Sequence, residues 1–139
     1  LRDHPETNFF HFNVDLAQGP CVIKRLRGCG AGCEYVAITP EGDIYPCHQF
    51  VGNEDYKLGS LYDGTFDQEL SGRFAGLNIY TREECRDCWA RFYCSGGCSA
   101  SNLLVNGDIK KPHRVGCELE RKRLECAIAL RAIAAGMAE

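Results

Sequence analysis

At 139 residues and 45% apolar content, the chain has the size of one domain and material for a real but modest core. Its net charge of −3 comes from 16 basic and 19 acidic residues spread along it. No electropositive surface for phosphates is implied, so nucleic acid is not an expected partner. No apolar run approaches the ~20 residues that cross a bilayer, and the opening LRDHPETN is too polar for a signal peptide, so the chain reads as cytoplasmic with no membrane partner.

The sequence starts at Leu1 in polar residues without a methionine, which suggests a segment of something longer. FFHFNVDL, residues 9 to 16, places Phe10, Phe12, Val14 and Leu16 on one side of an extended chain and predicts a strand. EYVAITPEGDIYPCHQ then sets β-formers on either side of Pro40, Glu41, Gly42 and Asp43, a hairpin that delivers Cys47 at the end of its second strand. Phe66, Leu70, Phe74 and Leu77 mark one face of a short helix, weakened by Gly72 and Gly76. Thr81 to Cys98 carries too many cysteines and glycines for a long regular element and reads as a loop with one or two helical turns. Asn106, Gly107 and Asp108 give a turn. From Glu118 to about Ala135 the spacing predicts a helix with Leu119, Cys126, Leu130, Ile133 and Met137 on one stripe and Gly136 near its stop. These elements make a small α+β domain with a β-hairpin, cysteine-rich loops and a C-terminal helix.

Ten cysteines stand at 21, 29, 33, 47, 85, 88, 94, 98, 117 and 126. A disulfide framework would fit a secreted domain, but there is no export signal. The tight Cys85-x2-Cys88 aims two sulfurs at one centre more naturally than at distant partners. Zinc and iron–sulfur clusters both take such thiolates. Zinc would leave Cys94, Cys98 and several other thiols without an obvious tetrahedral partition, whereas two clusters would use eight. The run Cys85-x2-Cys88-x5-Cys94-x3-Cys98 also has the logic of two-cluster ferredoxins, in which the last cysteine of a tight run reaches the other cluster.

The pattern Cys29-x12-Gly42-x4-Cys47, then Cys85-x2-Cys88-x5-Cys94-x3-Cys98, then Cys117 resembles the SPASM domain of radical S-adenosylmethionine enzymes. Within that family, CGAGCEYVAITPEGDIYPCHQFVG, CWARFYCSGGCSASN and NGDIKKPHRVGCELERKRLECA are similar to maturases that form thioether crosslinks in six-cysteine, SCIFF-type peptides, a match carried by residues 21 to 48 and 85 to 128. The resemblance implies two auxiliary [4Fe–4S] clusters. Cys29, Cys47 and Cys98 would hold the first, with Cys21, in preference to Cys33, as an added ligand, or with one iron left open. Cys85, Cys88, Cys94 and Cys117 would hold the second. Residues 1–20 would then be the end of a preceding catalytic domain or a linker, and residues 21–139 the cluster domain. It also implies a parent enzyme whose upstream domain binds S-adenosylmethionine and a third [4Fe–4S] cluster, a cysteine-rich precursor peptide, and an external electron-transfer protein. The catalytic Cys-x3-Cys-x2-Cys is absent here, because Val36 and Ser101 occupy the third positions after Cys29/Cys33 and Cys94/Cys98.

Further expectations attach to single residues. Cys117, directly before the last helix, would gain thiolate character from the helix dipole. Cys126 reads as a small buried hydrophobe, and His48 as an ordinary loop histidine. Trp89, Phe92 and Tyr93 would shield a cluster from water. The basic stretches KRLR, residues 24 to 27, and KKPHR, residues 110 to 114, read as solvated charge. A sulfatase-type SPASM maturase, a zinc-bound interaction module and a ferredoxin-like carrier remain as alternatives.

Overall fold

The computed structural model of the chain describes residues 9–16 and 22–137. The hairpin forms as the sequence predicts. Strand β1, Ala37–Ile38, pairs antiparallel with β2, Asp43–Tyr45, placing Ala37 opposite Tyr45 and Ile38 opposite Ile44. Gly42 makes the turn at φ +81°, its N–H donating to the Thr39 carbonyl at 2.9 Å. A Cβ there would also lie 2.6 Å from the Tyr62 ring, so glycine serves both the turn and a close approach.

Two strands of two residues each, β3 (Gly59–Ser60) and β4 (Thr65–Phe66), extend the hairpin into a four-stranded antiparallel meander in the order β1-β2-β3-β4. Strands this short carry no alternation that a sequence pattern can reveal. The core lies where β2 meets helix α2, Gln68–Ala75, with Ile44, Tyr45, Phe50, Leu58, Leu70, Phe74 and Leu77 buried together. Phe50 and Phe74 meet edge-on with ring centroids 5.4 Å apart. Asp67 caps α2 by accepting from the Leu70 N–H at 2.8 Å. That cap starts the helix later than the apolar spacing suggests, and it leaves Phe66 in β4, 40% exposed.

The remaining elements are helical. Helix α1, Val22–Arg27, packs on α3, Arg91–Cys94. Helix α4, Ser99–Asn106, was not predicted; Gly107 ends it by donating to the Leu103 carbonyl. The long α5 spans Arg114–Ala134. Buried Asn102 joins α4 to the start of α5, accepting from the His113 N–H at 2.9 Å and donating to the Ile109 carbonyl at 3.4 Å.

Three expectations are corrected. FFHFNVDL is no strand: Phe10–Phe12 form a 3-10 turn in which the Phe9 and Phe12 rings meet at 4.8 Å, and Arg123 of α5 holds the His11 carbonyl. Local ring packing and this tether satisfy the segment without a partner strand. Next, α5 starts at Arg114, so Cys117 lies inside its first turn and donates its N–H to the His113 carbonyl. The free amides that would have favoured a thiolate are therefore not at Cys117. Finally, α5 buries Leu124 and Ala127, while Leu119 is 66% and Met137 75% exposed. Its inward face continues through Glu120, Arg121 and Cys117 at helical spacing, and those polar groups border the cavities described below, so the apolar stripe misses that face. Among the described residues, no helix is long and apolar enough to cross a membrane.

Candidate metal centre

A cavity of about 420 Å³ opens between the loop before α3, the turn after it, and the first turns of α5. Cys85, Cys88, Cys94 and Cys117 all line it, together with Arg91, Lys111, Arg114 and Glu120. Each thiol arrives by a different local device. Cys85 ends the 3-10 turn Glu83–Cys85, Cys88 closes the next turn with its N–H on the Cys85 carbonyl, Cys94 is the last residue of α3, and Cys117 is on α5. Burial pushes the Cys85 thiol up to about 11; Arg82 opposes the rise, and Cys94, Cys117 and Cys88 add to it. The four sulfurs therefore sit within one another's field. Burial likewise raises Cys94, followed by the charge of Glu120, while the amides of Gly96 and Gly97 donate to its sulfur. Burial is the leading cause of the raised Cys117 pKa as well.

A second cavity, of about 300 Å³, lies across the turn Ser95–Gly97 and is lined by Cys98, Cys94, Cys117, Tyr93 and His113. Cys98 is held differently from the other thiols. Gln49 Nε2 donates to its sulfur at 3.6 Å, and the Ser101 amide and hydroxyl and the Ala100 amide donate as well. These bonds outweigh the opposing effect of partial burial and leave its pKa lowered. Gln49 is two residues beyond Cys47, so this bond ties Cys98 to the end of the hairpin, while Cys98 also shares the second cavity with Cys94 and α5. At the hairpin, the Tyr35 hydroxyl lies close to the thiols of Cys29 and Cys47, and partial burial, reinforced by these two neighbours, pushes its pKa up to about 12. The Cys29 loop is pinned there because the Gly32 N–H donates to the Pro46 carbonyl at 3.0 Å and the Ser71 hydroxyl donates to the Gly32 carbonyl at 2.7 Å.

The structure thus brings Cys85, Cys88, Cys94 and Cys117 to one cavity, Cys29 and Cys47 near one tyrosine, and Cys98 to a neighbouring cavity within reach of Gln49. Cys21 lies outside the described residues. Cys33 is exposed and directs its thiol to the Gly30 carbonyl at 3.4 Å. None of the nine described cysteines is in a disulfide. Cys126 is partly buried on α5, and His48 is exposed at the start of a 3-10 turn. Trp89 is 51% exposed rather than covering the thiols, Tyr93 borders the second cavity, and Lys111 and Arg114 of the KKPHR stretch border the first.

Among the described residues, no three His, Cys, Asp or Glu side chains converge closely enough to hold a single metal ion. Four thiols spread around a volume fit a group with several metal atoms, each taking one thiolate, better than one tetrahedral ion. Sequence reasoning missed Gln49, Tyr35, Asn102 and Arg82. Their partners lie far away in sequence or, for Tyr35, across a hairpin, where spacing gives no signal.

The fold and donor set suit a multi-metal group held by cysteine thiolates. Residues 29–89 match the SPASM family model, described as an iron–sulfur cluster-binding domain. It is 32% identical over 111 residues to the mycofactocin maturase of Mycobacterium ulcerans, covering 76% of this chain and 29% of that protein. It is 28% identical over 102 residues to the PqqA peptide cyclase of Xanthomonas axonopodis, covering 68% and 27%. An uncharacterized protein of Archaeoglobus fulgidus shares 31% over 101 residues, covering 70% and 24%. The matched region is about a quarter of the length of these curated relatives.

Proposed function

We propose that the chain is the auxiliary-cluster part of a cytoplasmic radical S-adenosylmethionine peptide maturase, with residues 21–139 as the cluster domain and residues 1–20 ending the catalytic domain or linking to it. The supporting observation is the cavity on which Cys85, Cys88, Cys94 and Cys117 meet. These four would hold one [4Fe–4S] cluster. Cys29, Cys47 and Cys98 would hold the other, with Cys21 as an added ligand. When bound, such clusters supply one-electron acceptor sites and, where an iron is free, a Lewis-acidic place for a substrate thiolate.

The chain's own residues prepare these sites. Burial of Cys85 and partial burial of Cys94 limit water around the first set, while Ser101 and Gln49 favour the thiolate form of Cys98. The Tyr35 hydroxyl stands near both Cys29 and Cys47. The parent would act on a cysteine-rich precursor peptide, joining a cysteine sulfur to an α-carbon, with S-adenosylmethionine and a third cluster in its catalytic domain and an external protein exchanging electrons. Relatives named for maturation of mycofactocin and cyclisation of the PqqA peptide support a peptide substrate. The stretches 21–48 and 85–128 favour the thioether branch.

The test is anaerobic reconstitution followed by metal analysis and Mössbauer spectroscopy. We expect about eight iron and eight sulfide per chain, from two four-iron clusters. Cys94→Ala should remove the signal of one cluster and Cys98→Ala that of the other. Stoichiometric zinc without iron, or identical spectral losses in the two variants, would reject the assignment.

A further inference from the structure

Arg82 is 3% exposed, and among the described residues it forms no salt bridge. Its Nη1 donates to the carbonyls of Ile109 at 2.6 Å and Lys110 at 3.0 Å, and its Nη2 donates to Ser99 Oγ at 3.0 Å. Nε is buried without a hydrogen-bond partner. The side chain lies flat on the turn that separates Cys94 from Cys98: a Cβ on Gly96 would come within 2.8 Å of Arg82 Cδ and Nε. Cys85, Cys94, Asp108 and Cys98 are within electrostatic reach of the guanidinium. Arg82 lines neither cavity, so it stands behind the turn that both share.

A guanidinium does not shed its proton when buried. An uncompensated buried cation costs several kcal/mol, and neutral carbonyls and a hydroxyl offset only part of that. Asp108, a carboxylate within its reach, is exposed and forms no ion pair with it. The negative charge that would balance Arg82 is therefore that of the thiolates on either side of the turn, two from one proposed ligand set and one from the other.

Resting on the two-cluster reading above, the geometry points to Arg82 as a shared counter-cation and positioning residue for both cluster sites. It fixes the 94–98 turn against the 109–110 strand of backbone, and its charge raises both reduction potentials by stabilising the more negative, reduced forms. Arg91 differs in kind, because it lines only the larger cavity and stacks over Phe92 at 4.8 Å.

The experiment compares the full chain with Arg82→Gln and Arg82→Lys after anaerobic reconstitution. Iron and sulfide are counted, and each cluster's potential is read by redox titration followed by paramagnetic resonance. Arg82→Gln should keep its iron and move both potentials to more negative values, with Arg82→Lys shifting them less. Unchanged potentials in an iron-replete Arg82→Gln protein overturn the proposal, as does a shift confined to one cluster. If Arg82→Gln does not fold, Arg82→Lys decides. Retained iron with potentials near those of the unaltered chain supports a charge role, whereas failure of Arg82→Lys to fold makes Arg82 a structural clamp and ends the proposal. Loss of the underlying reading is separable, because the unaltered chain would then bind no iron.

Discussion

Cysteines that look alike in a string are made chemically different by a few neighbours. Cys98 has its sulfur solvated by the Ser101 amide and hydroxyl, the Ala100 amide and Gln49, which lowers its pKa despite partial burial. Cys85 is 7% exposed, and burial pushes it up to about 11. In the metal-free chain a thiol is attacked by an alkylating agent only as thiolate. Cys98 should therefore react below the ordinary thiol range of about pH 8.5, and Cys85 should follow only as pH rises toward 11. The linkage has the same sign: keeping Cys85 neutral stabilises the metal-free fold below the unfolded thiol's pKa, and that stabilisation is lost as pH rises through about 11. Peptide mapping after iodoacetamide treatment from about pH 6 to about pH 11 checks the order. Equal rates at Cys85 and Cys98 would contradict it.

Helix α4 shows how an element escapes notice yet positions the site. SASNLLVN has only a short apolar run, and what fixes the helix is Asn102, one polar residue in a buried position. Its Oδ1 takes the His113 N–H, and this bond sets where α5 begins and hence where Cys117 points. Asn102→Ala should cost about 1–3 kcal/mol, since it leaves a part-buried amide without its acceptor. Urea unfolding with an unchanged midpoint would show that water replaces the bond. The same logic explains what the sequence reveals and what it hides. The hairpin was legible because its turn chemistry is local, with Pro40 to Asp43 flanked by β-formers. The cysteine spacing was legible because ligands in one turn must be close in sequence. The start of α5 was not, because it depends on a side chain 11 residues away, and neither was its buried face, because polar groups that border the cavities interrupt the apolar period. Gln49 on Cys98 and Arg82 on Ile109 span 49 and 27 residues, beyond the reach of any local pattern.

At the scale of the molecule, two regions draw their stability from different sources. The sheet and α2 enclose Ile44, Phe50, Leu58, Leu70, Phe74 and Leu77, a contiguous apolar cluster that holds itself together. From Arg82 to Cys117 the chain is instead arranged largely around thiols: of its buried apolar side chains, Ala100 and Ile109 join that cluster, while Cys85 and Ala90 lie outside it. The proposed metal groups, with ligands drawn between them from Cys29 to Cys117, would contribute their binding free energy to folding, because the unfolded chain offers no preformed site. For structural metal sites that contribution is of order 10 kcal/mol, comparable with the whole 5–15 kcal/mol by which a domain is stable. Iron removal should therefore lower the thermal midpoint and do so unevenly. Amides around Cys85, Cys94 and Cys117 should lose hydrogen-exchange protection first, while the Leu58 N–H, bonded to the Ile44 carbonyl at 2.7 Å, stays protected by the apolar cluster. Hydrogen exchange on the iron-loaded and iron-free chain reads both regions at once. Equal protection in the two states would show that the cysteine-rich half folds without its metal, and uniform loss would show that the sheet depends on it as well.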